Sequence, residues 1–321
     1  MAVMASIDYV FKVVDYGVQK VSLTATVHLP RDTTSVKAIA LYFHGGGYIV
    51  GSRAMLPTAH IEALKERGFI AVSSDYRLSP TISVLNGPVN DSVAAYEWAQ
   101  NELPKLLERD HGIQVNGRNI VTLGHSCGGG LALLMASRPS PPKAILDLFG
   151  FKYLRDPFYH TGTSIKPKPG APALPSAEFI KQVFNEIPPP IAATPPFGPK
   201  GLDLSTPRQA YLVTSVSKGA QFDQIIAEDE YDHVDPEKLL KTPGFPPTVF
   251  IQGTADVVVD AKFSQWAYGE LLKNGVQSEL YLVEGMTHGF DTRLKRDDAT
   301  FESIEKGMDF LAQHVVGREG T

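Results

Sequence analysis

The chain has 321 residues, 43% of them hydrophobic and 20% charged, with a formal net charge of -5. These values exclude a disordered, collagenous or polytopic membrane chain, and they give no electrostatic reason to bind nucleic acid or an anionic bilayer. Cys127 is the single cysteine, so no intramolecular disulfide can form, which fits a reducing, cytoplasmic setting. The first residues, MAVMASIDYV, lack a basic segment followed by a long apolar run. Neither a signal peptide nor a membrane anchor is expected.

Apolar residues alternate in Asp8 to Val14 and in Val21 to Leu29, on either side of Asp15-Tyr16-Gly17. This period predicts a half-buried antiparallel pair. Beyond Pro30 the apolar runs become continuous: Ala38 to Phe43, Phe69 to Ser73, Ile120 to Leu123, Ala144 to Phe149, Thr248 to Ile251 and Glu279 to Val283. Strands covered on both faces have this texture. Helix-like stretches lie between them at Pro57 to Arg67, Asn90 to Arg109, Gly130 to Ser137, Lys262 to Asn274 and Phe301 to His314. The alternation predicts an α/β fold around a mostly parallel sheet.

One segment interrupts this rhythm. Half of the 24 prolines fall between Pro157 and Pro207, including Lys166-Pro167-Lys168-Pro169 and Pro188-Pro189-Pro190. Proline breaks helices and cannot donate to a ladder, so short helices joined by extended loops are expected there. Interleaved aromatics such as Phe158, Tyr159, Phe179 and Phe222 argue against a solvated linker.

Gly124-His125-Ser126-Cys127-Gly128 sits between a strand-like and a helix-like run. That is the context of a G-x-S-x-G nucleophile elbow, a sharp turn that holds its serine in a strained conformation. A cysteine elbow would need glycine where His125 stands, so Cys127 contributes its backbone N–H rather than its sulfur. His44-Gly45-Gly46-Gly47-Tyr48 closes the Ala38 to Phe43 strand. Glycines let main-chain N–H groups approach a developing oxyanion, and the donors are expected at Gly46, Gly47 and Cys127. No Lys-Ser/Thr pair follows, which disfavours a phosphate loop. The serine's base and its orienting carboxylate should come later in the chain, acid first. Asp256 and His288 follow the last two strand-like runs in that order, with Asp260 as the reserve acid.

His44-Gly45-Gly46-Gly47, Asp75-Tyr76-Arg77-Leu78, the elbow at Ser126, Asp256 and His288-Gly289-Phe290 together resemble the hormone-sensitive-lipase-like branch of the α/β-hydrolase superfamily. The resemblance runs from about Ile39 to the C-terminal helix and omits the proline-rich insert. It implies an eight-stranded α/β-hydrolase sheet flanked by helices, with a catalytic domain over 1–150 and 248–321 and a helical cap inserted over 151–247. By analogy Asp75 and Arg77 brace the oxyanion loop. The family's elbow usually reads Gly-Asp-Ser-Ala-Gly, and here His125 and Cys127 flank the serine. The elbow and the proline-rich insert also look similar to hydrolases of fungal specialised metabolism.

The resemblance implies a serine esterase acting on a small, mainly apolar carboxylic ester through Ser126, Asp256 and His288. The substrate pocket is expected at Tyr48, His125, Phe151, Phe158 and Phe290. Release or transfer of an acyl chain from a carrier-protein thioester is the alternative, with non-hydrolytic chemistry on the same fold behind it. A ligand receptor would typically lack a triad member, and all three are present. No metal cluster or nucleotide fingerprint is evident in the sequence, so no cofactor is expected. The expected partner is a small-molecule ester or thioester substrate, with a carrier protein under the alternative reading and a homodimer left open.

Overall fold

The computed structural model describes residues 6–17, 19–30, 32, 38–162, 173–198 and 201–315. Eight strands form one sheet: β1 (Ser6–Asp15), β2 (Lys20–His28), β3 (Ala38–Phe43), β4 (Phe69–Ser74), β5 (Ile120–His125), β6 (Ile145–Leu148), β7 (Thr248–Gly253) and β8 (Ser278–Val283). Their spatial order is β1-β2-β4-β3-β5-β6-β7-β8. β1 pairs antiparallel with β2, and β2 with β4, while every pairing from β4 to β8 is parallel.

The continuous apolar runs are explained by burial on both faces. Ile39, Leu41 and Phe43 of β3 enter one core, and Ala38, Ala40 and Tyr42 enter the other. The major helices are α1 (Thr58–Glu66), α2 (Asn90–Asn101), α3 (Leu103–His111), α4 (Cys127–Leu134), α5 (Pro207–Ser217), α6 (Ala261–Lys273) and α7 (Glu302–Val315). α1 and α7 cover the Tyr42 face through Ile61, Leu64, Ile304, Met308 and Leu311. α2, α3, α4 and α6 cover the other through Tyr96, Leu107, Leu131 and Phe263. Burying each such side chain contributes about 1.5–3 kcal/mol, so both helical layers are needed to hold the sheet.

Two helix boundaries differ from expectation. The stretch from Asn90 to Arg109 is two helices, because Pro104 lies in the first turn of α3. Inside a single helix its ring would clash with the preceding turn and it would offer no N–H. α4 begins at Cys127 rather than Gly130, so Gly128 and Gly129 are helical as well, despite their low helix propensity. Close backbone approach overrides propensity here: a Cβ on Gly128 would lie 2.0 Å from the Phe43 carbonyl oxygen.

The proline-rich segment leaves the sheet after β6 and returns at β7, between two paired parallel strands. Its described part holds α5, the short helices Pro157–His160, Ala177–Lys181, Gln221–Ile225, Tyr231–Val234 and Glu237–Leu240, and a two-residue strand pair at Phe197–Gly198 and Gly201–Leu202. Thr206 caps α5 reciprocally with Gln209 just before Pro207, a strong start signal in a segment otherwise poor in helices. The Lys166 to Pro169 run lies outside the described residues.

Candidate active site

Ser126 stands between β5 and α4 with φ 55 and ψ -124, a backbone region that side-chain-bearing residues rarely adopt. The turn closes because its flanking glycines carry no side chain. A Cβ on Gly124 would lie 2.2 Å from the Gly128 carbonyl oxygen. The Ser126 N–H donates to the Leu148 carbonyl at 2.9 Å, and the Ser126 carbonyl accepts from Phe151 N–H at 3.1 Å, so both neighbours of the turn are pinned.

His288 Nε2 lies 2.9 Å from Ser126 Oγ, and His288 Nδ1 lies 2.8 Å from Asp256 Oδ2. An ionised carboxylate only accepts, so the imidazole proton sits on Nδ1 and leaves Nε2 free to accept from the serine. Asp256 is fixed by four donors in all. Its Oδ1 accepts from Val258 N–H at 2.8 Å and Val259 N–H at 2.9 Å, and its Oδ2 also accepts from Gln252 Nε2 at 3.0 Å. Asp260 is turned elsewhere and accepts from Lys262 N–H at 2.9 Å as the cap of α6.

The glycine loop packs against the elbow. A Cβ on Gly45 would touch Ser126 Cβ at 3.4 Å, and Gly46 and Gly47 have φ of +117 and +64. The Gly46 carbonyl accepts from Ile49 and Val50 N–H at 3.1 and 3.0 Å, which folds the loop back on itself. Tyr48 N–H donates to Cys127 Sγ at 3.3 Å. As the first residue of α4, Cys127 has an N–H with no intrahelical acceptor. Its thiol is buried, and burial pushes its pKa up, so the sulfur is held as a neutral thiol. The glycine loop is braced by Tyr76, whose hydroxyl donates to the His44 carbonyl at 2.9 Å, and by Ser79 N–H, which donates to the Tyr48 carbonyl at 2.9 Å. Asp75 instead accepts from Arg53 N–H at 2.8 Å, and Arg77 pairs with Asp91 at 2.7 Å.

A cavity of about 190 Å³ opens above Ser126, lined by Gly45 to Gly47, Ser126 and His288 on its polar side. The rest of the wall is apolar, with Met55, Phe149, Phe151, Leu212, Val213 and Val258 prominent. Leu212, Val213 and Val216 come from α5, and Gln221 from the next short helix, so the proline-rich segment supplies one wall.

Of the five expected pocket residues, Phe151 and His125 touch this cavity. The His125 ring, however, is committed to buried partners: Nδ1 is 2.8 Å from the Tyr42 hydroxyl and Nε2 is 2.6 Å from Asp291 Oδ2. Tyr48 is fully buried with φ 65, its ring turned toward Phe151 in the core and off the cavity. Phe158 lines a smaller adjoining cleft that shares Phe151, Val216, Gln221 and Val258 with the main one. Phe290 packs behind Phe149, with ring centroids 6.0 Å apart.

Two features escaped sequence reasoning. Gln252, the one amide in the β7 apolar run, donates to Asp256 Oδ2, and its polarity amid Thr248 to Ile251 was the available signal. The fold also gathers His60, His125 and Asp291, whose ligand-type atoms all lie within 4.8 Å of one another although the sequence shows no cluster.

A family model described as alpha/beta hydrolase fold matches residues 40–152, the stretch that holds the glycine loop, Asp75 to Leu78 and the elbow. The mostly parallel eight-stranded sheet flanked by helices agrees with that fold. The chain has the α/β-hydrolase fold. The chain is similar to the non-reducing polyketide synthase adrD of Penicillium rubens, with 30% identity over 92% of this chain and 13% of that protein. It is likewise similar to the non-reducing polyketide synthase prhL of Penicillium brasilianum, with 29% identity over 98% of this chain and 14% of that protein. It therefore spans only a small part of the curated relatives it matches. Among solved structures, a Staphylococcus aureus protein of unknown function superposes with a TM-score of 0.72 at 21% identity, covering 96% of this chain and 99% of that one. The butyrate-bound esterase Est2 of Thermogutta terrifontis superposes with a TM-score of 0.60 at 21% identity, covering 98% of this chain and 96% of that one. These structures agree with the chain in fold. Among the described residues, no helix is long and apolar enough to cross a membrane.

Proposed function

We propose that this hydrolase cleaves an apolar carboxylic ester through an acyl-enzyme on Ser126. The observation that carries this reading is the continuous chain Ser126–His288–Asp256, at 2.9 and 2.8 Å, opening into an apolar cavity. His288 Nε2 removes the serine proton as Oγ attacks the carbonyl carbon. Gly46, Gly47 and Cys127 N–H groups stabilise the oxyanion, and the tetrahedral intermediate collapses as His288 protonates the departing alkoxide. Water then attacks the acyl-enzyme with His288 again as base, releasing the carboxylic acid and restoring Ser126. Asp256 holds the Nδ1 tautomer and stabilises the imidazolium. The reaction needs no cofactor. The segment over 151–247 acts as a cap, since α5 supplies Leu212, Val213 and Val216 to one wall of the cavity.

Ser126→Ala is expected to lower turnover of p-nitrophenyl butyrate by at least about 10³-fold while circular dichroism and melting stay unchanged. Undiminished turnover in that variant overturns the reading.

The polyketide synthase relatives favour a second reading of the same machinery, in which the acyl group arrives as a thioester on a carrier protein. A thiolate leaving group requires the same attack and the same oxyanion donors. Comparing kcat/KM for matched acyl groups on an alcohol and on a pantetheine thiol separates the two. A preference of ten-fold or more for the thioester selects the second reading.

A further inference from the structure

Beneath the elbow, with His125 at the cavity wall, lies a buried polar cluster in an otherwise apolar core. His60 of α1, His125 at the end of β5, Tyr42 of β3 and Asp291 meet there. Asp291 belongs to the turn Phe290–Arg293, which begins at Gly289 directly after His288. Its Oδ2 is 2.6 Å from His125 Nε2 and 3.1 Å from His60 Nε2. The other His125 nitrogen is 2.8 Å from the Tyr42 hydroxyl. Burial alone would raise the Asp291 carboxyl, but the two histidines outweigh it and hold its pKa well below the usual carboxylate range. The hydrogen bond to His125 is therefore charge-assisted, in a medium where such bonds are strong.

Proposed nucleophile and base are thus joined twice: in front by the Ser126–His288 contact, and behind by a bond between the residue preceding Ser126 and a residue three positions after His288. We infer that Asp291 is a positioning residue that clamps the His288 loop to the serine elbow through His125. This rests on the reading of Ser126 and His288 given above. Only the rear bond is independent of substrate, so it keeps the 2.9 Å front contact in register while the serine proton is transferred and the front contact is broken. A misplacement of about 1 Å at such a contact lowers turnover by up to about 10²-fold.

The same three groups have the composition of a metal site, but the separation argues for a proton between them. Two ligands on one tetrahedral zinc, each bonded at about 2.0–2.2 Å, sit roughly 3.3 Å apart. The 2.6 Å between His125 and Asp291 is a hydrogen-bond distance.

Asp291→Asn and His125→Gln, alone and together, test the clamp with a p-nitrophenyl ester. Active sites are counted by end-point fluorophosphonate labelling, so a loss of folded protein does not register as a loss of kcat. The expected result for each single variant is a 10- to 100-fold lower kcat per labelled site, a proportionally slower labelling rate and a KM within about twofold. The double variant should lose no more than about twofold beyond the worse single variant, because both remove one bond. Unchanged kcat per site in the single variants, or multiplicative losses in the double, overturns the clamp. If Asp291→Asn does not fold, His125→Gln decides alone; if neither folds, the pair is a folding element and the positioning role is overturned. One equivalent of bound transition metal in the purified protein also overturns it. Ser126→Ala with full turnover would instead remove the reading on which the clamp rests, while inactive Ser126→Ala beside fully active Asp291→Asn removes the clamp only.

Discussion

Asp256 and Asp260 stand four residues apart, yet only Asp256 reaches His288, at 2.8 Å, while Asp260 caps α6 through Lys262 N–H. Their substitutions should therefore separate activity from stability. Asp256→Asn loses the charge that stabilises the imidazolium and the acceptor that selects the tautomer, and kcat should fall by about 10³–10⁴-fold. Asp260→Ala should leave ester turnover within about twofold and lower stability by about 1 kcal/mol, the usual cost of a lost helix cap. Steady-state kinetics beside chemical denaturation of both variants checks the pair of outcomes.

Cys127 offers a second separation, between a sulfur and the backbone next to it. The thiol is buried among Tyr48 N–H, the Tyr76 hydroxyl at 3.5 Å and the His44 carbonyl at 3.7 Å, with its pKa raised. Iodoacetamide should leave the native enzyme fully active and label Cys127 only after denaturation. Cys127→Ser, which keeps the backbone N–H, should retain ester turnover within about fivefold. Rapid inactivation of native protein by the thiol reagent would transfer the nucleophile role to the sulfur.

The strands and the elbow were legible because their signals are local. Ala38 to Phe43 reads as a strand buried on both faces from six consecutive residues, and Gly124 to Gly128 reads as a turn from five. What the sequence leaves hidden depends on how elements face each other. Leu212, Val213 and Val216 become a cavity wall only because α5 folds over the glycine loop. His60, His125 and Asp291 are separated by long stretches of chain and meet only across the sheet and its covering helix. Tyr48 adjoins the glycine loop in sequence, which suggests a pocket role, but its ring is fully buried in the core. Pro104 was visible, yet the unbroken helical periodicity around it concealed that it ends one helix and begins another.

The proline-rich segment holds the glycine loop from above. Gln221 Nε2 donates to the Gly47 carbonyl at 2.8 Å, and Arg208 Nη1 donates to the Ile49 carbonyl at 2.6 Å and to the Ser79 carbonyl. The Gly47 peptide is thus fixed from the segment on one side and by the Tyr48 N–H to Cys127 contact on the other. Gln221→Met keeps the bulk and removes the donor, leaving a buried carbonyl unsatisfied and free to rotate. Since one oxyanion donor is worth roughly 10²–10³ in kcat, partial misalignment of the loop should lower kcat about tenfold with the protein still folded. Wild-type kcat in this variant would mean that the loop holds itself.

His44 contributes a loss of stability in acid. Its ring is fully buried, stacks on Tyr76 with centroids 4.0 Å apart, and has Nδ1 2.8 Å from the Gly45 carbonyl. Burial lowers its pKa from 6.5 to about 4, outweighing that carbonyl. The unfolded chain therefore takes up a proton below about pH 6.5 that the folded chain refuses until about pH 4. Stability is lost as pH falls through this window, by about 3 kcal/mol when the shift is converted to free energy. Buried His60, whose pKa is also lowered by burial, adds in the same direction. Asp235 opposes both: burial raises its carboxyl to about 6, so the folded state protonates first and gains stability between about pH 6 and 4. The wild-type profile mixes these signs, but the difference from His44→Gln isolates one of them. Between pH 7 and 4, wild-type Tm should fall roughly 6 °C relative to the variant, at about 2 °C per kcal/mol for a chain of this size. Parallel Tm profiles for the two proteins would show that His44 is protonated in the folded state.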